Sequence, residues 1–354
     1  MMNNGETIRI QPVREQGLAL IELMIAMVLG LVIMGAVAGV MLSNNQSFRS
    51  TRAVAQIQDS VRVGYELLAR DIRQAGNMPC GTDIEVVNIL NGTQGDNTDW
   101  QYDWGKGIVG VSAEDSLKGV DRVDGTEALI LMYGDAGDVF MDSYDKDNNS
   151  ANFTVATSSG KPHGILPGEI LLICNERQGT IFQVNSNKGS GNNEASNVIV
   201  ANTGDGSPGN CTKGFGPLII KNGECDNKGN RGDYDRNTVV AKLSSVAWYI
   251  GDNNRPEEGG RSLYMTRLGA EAQLSRIEVA SGVVDMKLRY RLIDTSNFVD
   301  AGSITESQWA DVNAVEITLK LDSQDQNVST DRATNNGRLS RELTSIVAIR
   351  NRSL

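Results

Sequence analysis

Residues 18–42 read LALIELMIAMVLGLVIMGAVAGVML, an apolar run broken by a single charge, Glu22. As a helix rising 1.5 Å per residue, the run is about 37 Å long, enough to span a bilayer with some tilt. No other stretch of the chain is comparable. The run therefore predicts one membrane segment, with the remaining bulk soluble. Residues 1–17 before it are polar and set Arg9 and Arg14 against Glu6 and Glu15.

Three kinds of segment begin this way. An ordinary signal peptide is one, and Ala36-Val37-Ala38 offers a small-residue cleavage site. The apolar run continues past that site to Leu42, which is long for the hydrophobic part of a signal peptide. A plain signal anchor is the second. The third is a leader cut before the apolar run, so that the helix is kept.

Glu22 separates these readings. An acid inside a membrane segment costs roughly 2.5–3.5 kcal/mol near the helix centre and less near its end. Either the carboxylate stays hydrated at the interface, or it awaits a cation. A cut after Gly17 would make Leu18 the new N-terminus and Glu22 the fifth residue. A neighbouring subunit, shifted along a helical assembly, would then present its amine to that carboxylate. At about 4 Å and an effective dielectric near 20 the attraction is about 4 kcal/mol, enough to offset the desolvation. Glu22 is thus a candidate for setting the axial register between subunits, a role attested for buried polar groups elsewhere.

The residues around the cut carry a resemblance. Gly17-Leu18-Ala19-Leu20-Ile21-Glu22-Leu23-Met24-Ile25-Ala26 resembles the class III signal of type IV prepilins. Leu18 stands where Phe or Met is commoner, and Glu15-Gln16 where a basic pair is usual. Further pieces are spread over the C-terminal half: Trp248–Asn253, Ser262–Tyr264, Gly282–Asp285, Leu288–Tyr290, Trp309–Val315 and Val347–Arg352. With the leader, they are similar to the PilW family of minor pilins.

The resemblance implies cleavage between Gly17 and Leu18 by a dedicated prepilin peptidase, methylation of the new N-terminus at Leu18, and a need for Glu22 in assembly. It implies a low-abundance subunit that helps initiate type IV pilus assembly and sits near the fibre tip, supporting adhesion or twitching. Its partners would be other minor pilins, the major pilin, the inner-membrane assembly platform and, at the tip, an adhesin. The chain would wait in the inner membrane with its head in the periplasm, then move to the extracellular tip. No catalytic residue, cofactor or metal is implied.

The rest of the chain reads as follows. From Ser43 to about Gly76 the pattern is helical. Ile57, Val61, Tyr65, Leu68 and Ile72 form one apolar stripe, and Arg49, Arg52, Asp59, Arg62, Glu66, Arg70 and Arg73 take the other faces. No proline separates this stretch from the apolar run, so the two are expected to form one helix. Gly30, Gly35 and Gly39 mark either close helix packing or a place where the helix bends. Gly76 and Pro79 end it. Beyond, strand candidates are Ile84–Leu90, Ala128–Tyr133, Glu169–Cys174, Thr180–Val184, Asn197–Ala201, Val246–Ile250, Leu263–Thr266, Asp285–Leu292, Ala314–Leu321 and Thr344–Ile349. The expected fold is α+β and type IV pilin-like: a long N-terminal helix, half membrane-spanning and half amphipathic, packed on an antiparallel sheet. The divisions are 1–17 leader, 18–42 membrane and assembly helix, 43–76 amphipathic helix and 77–354 β-rich head. Loops near 91–107, 142–151, 185–195 and 202–237 look too polar to add core and are candidate partner surfaces.

Four cysteines, Cys80, Cys174, Cys211 and Cys225, allow three pairings. Cys211–Cys225 closes a short Gly/Asn-rich loop and is favoured, leaving Cys80–Cys174. The short loop is worth about 3 kcal/mol through the unfolded state. A zinc site lacks CxxC spacing.

Composition trims the alternatives. Lys+Arg is 33 against Asp+Glu 44, a net charge of −11, which argues against a dedicated nucleic-acid binder or a DNA-uptake receptor. A single histidine, His163, weakens Ser-His-Asp and Cys-His catalysis and hence a membrane-anchored periplasmic enzyme. A J-type minor pseudopilin of type II secretion shares leader and fold and stays the nearest alternative. Gly204–Gly209 matches GxGxxG, but Pro208 and Gly214 stop the helix that a dinucleotide site needs, so it reads as a turn. Asp145-Lys-Asp147 resembles the start of a calcium loop without its glycine or closing Glu. Arg231-Gly232-Asp233 is a short match of the kind chance produces. Trp100, Tyr102 and Trp104 read as core plugs under a loop.

Overall fold

The computed structural model describes residues 20–81, 84–93, 99–135, 139–145, 151–156, 163–188, 197–204, 206–221, 224–269, 273–329, 331, 333 and 335–352. The chain divides into two compact units, Met1–Arg52 and Ala53–Leu354. One α-helix, α1 (Leu20–Gln74), runs without interruption across that division.

In the first unit α1 is Leu/Ile/Met/Ala-rich and free of proline, which favours helix. Every residue from 20 to 45 is exposed. In the second unit the helix is amphipathic as expected. Ile57, Leu68 and Ile72 are buried, and Val61 and Tyr65 pack against the same core. Ala53 and Gly64 are buried too. The helix stops where Gly76 takes a left-handed φ of 69°. Its N–H then donates to the Met132 carbonyl at 2.8 Å, which hands the chain to a strand.

The strands, in order, are β1 (Glu85–Asn88), β2 (Ile108–Val111), β3 (Ala128–Gly134), β4 (Val139–Tyr144), β5 (Asn152–Ala156), β6 (Ile170–Cys174), β7 (Gln178–Gln183), β8 (Ser186–Lys188) and β9 (Val198–Val200). There follow β10 (Ile220–Lys221), β11 (Glu224–Cys225), β12 (Val239–Asp252), β13 (Arg261–Leu268) and β14 (Leu274–Ser281). The last are β15 (Val283–Leu292), β16 (Phe298–Val299), β17 (Val312–Asp322) and β18 (Ser340–Ala348).

The organiser is β12, fourteen residues long. Its first part pairs with β6 and β4, and its second part lies between β3 and β13. A second sheet runs β16-β15-β17-β18, and β10-β11 is a small ribbon. The fold is therefore α+β, but the single antiparallel sheet expected from the sequence is corrected. There are three sheets among the described residues, and β1 pairs parallel with β7.

Both faces of β3 and of Val246–Ile250 in β12 are covered, which explains their near-continuous apolar sequence. Successive side chains point to opposite faces. Leu129, Leu131, Trp248 and Ile250 join the core under α1, together with Leu288 and Tyr290 of β15 and Val315 and Ile317 of β17. Ile130, Met132 and Tyr249 face a second core that Trp100, Tyr102 and Trp104 plug. A third core holds Phe153, Phe182, Phe215 and Tyr234. The expectation that residues 91–107 and 202–237 add no core is therefore corrected. Each sends large rings inward from a polar backbone segment. The stretch near 142–151 also contributes, through Tyr144, which packs against the third core, and the buried Ala151.

Candidate functional site

The apolar half of α1 is the candidate site. Glu22 is exposed on it, and among the described residues no hydrogen bond or ion pair reaches its carboxylate. Arg49, the next charge in the sequence, lies about 40 Å farther along the axis. Along this half of the helix the side chains are large and uncovered: Leu20 is 76% exposed, Met34 73% and Leu42 72%. Monomeric soluble proteins rarely expose contiguous apolar surface on this scale. A Cβ at Gly30, Gly35 or Gly39 would meet nothing within 4 Å, so nothing among the described residues uses the close approach those glycines permit. Among the described residues α1 is the one helix long and apolar enough to cross a membrane. It thus has the length and composition of a membrane anchor or a signal sequence. The proposed cut between Gly17 and Leu18 lies outside the described residues.

At its other end the same helix carries an acid that the sequence reading passed over. The side chain of Asp71 is wholly buried. Its Oδ2 accepts from Trp248 Nε1 at 3.2 Å, and its Oδ1 accepts from the Tyr133 hydroxyl at 3.4 Å and Arg70 at 3.3 Å. Burial, then the negative charge of Asp71, pushes the Tyr133 phenol up to about 12. The signal was present in the sequence: Asp71 is three residues after Leu68 and one before Ile72, on the apolar stripe.

The cysteines pair as Cys80–Cys174 and Cys211–Cys225. The first ties the chain six residues past α1 to the end of β6. Arg352 fastens the same region. Its guanidinium donates to the carbonyls of Trp309 (2.8 Å), Val312 (3.2 Å) and Lys106 (2.6 Å), and burial lowers its pKa.

A cleft of about 600 Å³ opens beside Arg352, floored by Ile84, Val86 and Ile181. Several of its polar groups hold its walls, while Trp104 Nε1, buried beside it, has no hydrogen-bond partner. The Asn88 amide donates to the Tyr102 carbonyl, Asn351 to Asn77, and Lys106 pairs with Asp103. Among the described residues no three His, Cys, Asp or Glu side chains gather as metal ligands. Asp147 of the calcium-like stretch lies outside the described residues. Gly206 and Gly209 both take positive φ, and the next residue, Asn210, forms β-bridges rather than opening a helix. Gly232 of the Arg-Gly-Asp tripeptide packs so tightly that a Cβ would sit 2.5 Å from Tyr234. Nδ1 of His163 accepts from the Ile165 N–H at 3.0 Å, a local turn contact.

Comparison of the chain with protein-family models, curated proteins and solved structures found no match.

Proposed function

We propose that the chain is a minor pilin of the PilW type, held by its N-terminal helix in the inner membrane and then drawn into a type IV pilus near the fibre tip. One observation carries the reading. An acid stands five residues after Gly17, at the start of an apolar helix that no part of the described chain covers. The helix continues unbroken into a half whose stripe is packed. A signal peptide has no use for that continuity, because the cut would discard the exposed half.

In this reading the apolar half moves from lipid into contact with sister helices, and Gly30, Gly35 and Gly39 let those helices approach. Glu22 meets the amine of a neighbouring Leu18 and sets the step between subunits. The charge pairing offsets the cost of an acid in an apolar setting. Other minor pilins, the major pilin, the prepilin peptidase, the assembly platform and a tip adhesin are the partners of this scheme.

Mass spectrometry of the chain from sheared surface filaments tests the reading. The expected species starts at a methylated Leu18 and is oxidised at all four cysteines. A bulky residue at Gly17 should leave the leader attached. A mature chain beginning at Gly39 would mean the apolar helix is discarded, and the reading would fall.

A further inference from the structure

The cleft beside Arg352 encloses about 600 Å³, within the range of sites that hold small organic ligands. Its frame is fixed by the chain itself. Gly107 takes a left-handed φ of 70°, and a Cβ there would sit 2.6 Å from Gly76 Cα, so one wall is backbone against backbone. The Asn88 amide donates to the Tyr102 carbonyl at 2.9 Å, and Asn88 Oδ1 accepts from the Leu90 N–H at 3.1 Å. The floor of Ile84, Val86 and Ile181 is aliphatic.

Two donors of the lining are incompletely used. Trp104 is 2% exposed, and its Nε1 has no hydrogen-bond partner. An indole N–H can only donate, and a buried donor without an acceptor is costly. Two other indoles of the chain have acceptors: Trp248 Nε1 donates to Asp71 and Trp100 Nε1 to the Lys118 carbonyl. The second donor is Arg352. Its Nη1 and Nη2 donate to carbonyls, its Nε makes no hydrogen bond among the described residues, and no described carboxylate forms an ion pair with it. Asp103, the acid among the described lining residues, is already paired with Lys106 at 2.8 Å. The two donors share a wall, because the Lys106 carbonyl, two residues after Trp104, accepts from Arg352 Nη2.

A partly buried guanidinium without an acid, an indole N–H without an acceptor and an aliphatic floor are complementary to one kind of molecule. We propose that the cleft binds an aliphatic carboxylate, its oxygens accepting from Arg352 and Trp104 Nε1 and its hydrocarbon body lying on Ile84, Val86 and Ile181. The charge selects the carboxylate over its neutral analogues, and the floor selects a body without further polar groups. The site serves the chain whether or not it enters a fibre.

Titration of the full chain in non-ionic detergent tests this, with isocaproate as the probe and the indole N–H resonances as the readout. Trp104→Phe assigns the Trp104 resonance. That resonance should shift saturably at millimolar isocaproate, the range expected for so small a ligand, while those of Trp100 and Trp248 stay in place. Isocaproamide, the same body without the charge, should bind about tenfold more weakly. Trp104→Phe keeps a ring and loses the donor, and should weaken isocaproate about tenfold, followed by the probe's own resonances. Ile293→Trp, at a lining residue that is 40% exposed, should obstruct the cleft and abolish the shift; if Trp104→Phe fails to fold, Ile293→Trp decides. Acetyl-Ala-Ala-Leu with a free carboxylate separates the sources: tighter binding than isocaproate assigns the site to a polypeptide C-terminus, weaker binding to a free acid. No saturable shift at tens of millimolar, equal binding of amide and acid, or unchanged binding in a folded variant overturns the assignment.

Discussion

The single helix α1 carries two acids in apolar company, and the chain treats them differently. Asp71, near the C-terminal end, is wholly buried and is met by Trp248, Tyr133 and Arg70 of its own chain. Glu22, near the other end, stands exposed among exposed Leu, Ile and Met side chains, and no described residue reaches it. A buried charge is tolerated where partners and donors surround it. Asp71 has that environment within one chain. If Glu22 is ever buried, its environment has to come from outside. The contrast separates what one polypeptide completes from what, on the proposed reading, it leaves for an assembly.

Replacing each acid breaks the comparison at one end. Glu22→Ala should have the larger effect. Cleavage should stay intact, read as an unchanged mature mass, while the chain in sheared filaments falls at least about tenfold, as expected for losing a pairing of order 4 kcal/mol. Normal recovery would remove Glu22 from any role in register. Asp71→Ala should leave the membrane step untouched and destabilise the second unit by about 3 kcal/mol, because Trp248 Nε1 and the Tyr133 hydroxyl lose their acceptor while still buried. Urea unfolding of the full chain in detergent reads this. A loss under about 1 kcal/mol would mean that water or a rearranged Arg70 replaces the carboxylate.

The sequence announced each half of α1 to a different degree. The apolar run and the stripe Ile57–Ile72 were legible because helical period and membrane length are strong signals. Asp71 is named with neither the apolar stripe nor the charged faces, although its position puts it on the stripe. Strands with clean alternation, such as Val315 to Leu321, were found. β4 and β14 were not, because Asp142, Ser143, Arg276 and Glu278 blur their alternation, and β5 was not, because its clean alternation spans only five residues. Only Val246–Ile250 of β12 was expected. Its first half, with Lys242, Ser244 and Ser245, does not read as the strand that joins two parts of a sheet. The rings of Phe215 and Tyr234 were hidden in a Gly/Asn/Asp-rich stretch whose composition says loop while its side chains fill a core. On the proposed reading Glu22 pairs with a neighbour, and nothing in a single chain's sequence identifies that neighbour.

Tyr133 offers a smaller test at the completed end. Its phenol is pushed from 10 to about 12, first by burial and then by Asp71. A raised folded-state pKa means that the neutral form is favoured by folding. The stability it contributes is present in full below pH 10 and is lost as pH rises through 12. About two pKa units correspond to about 2–3 kcal/mol. Unfolding free energies measured at pH 8, 10 and 11.5 should decline in the wild type and decline less in Tyr133→Phe. The phenols of Tyr102, Tyr234, Tyr249, Tyr264 and Tyr290 are also raised and contribute to the decline that remains. Equal slopes in the two proteins would show that Tyr133 does not titrate differently on folding.

The glycines of α1 repeat the contrast at the smallest scale. A Cβ at Gly64 would meet Leu263 Cδ2 at 3.1 Å and Ala280 Cβ at 3.3 Å, so the helix lies close on β13 and β14 because no side chain intervenes. Gly64→Val adds two carbons beyond that first contact. Overpacking of this kind costs about 1–3 kcal/mol, and the gain in helix propensity over glycine is smaller than 1 kcal/mol. The net loss should be about 1–2 kcal/mol in urea unfolding. At Gly35 a Cβ meets nothing within 4 Å, so Gly35→Ala should strengthen the local helix by up to about 1 kcal/mol, read as slower amide exchange around residue 35 in detergent, with no change in unfolding of the second unit. The informative case is a Gly35→Ala chain that gains helix stability in detergent and yet enters filaments poorly. A methyl group that touches nothing in its own chain would then be touching another, and the close approach that glycine permits would belong to the assembly. Incorporation at the wild-type level would instead assign Gly35 to bending or to neither role, and would leave Gly64 as the only glycine of the pair whose absent side chain is used for packing.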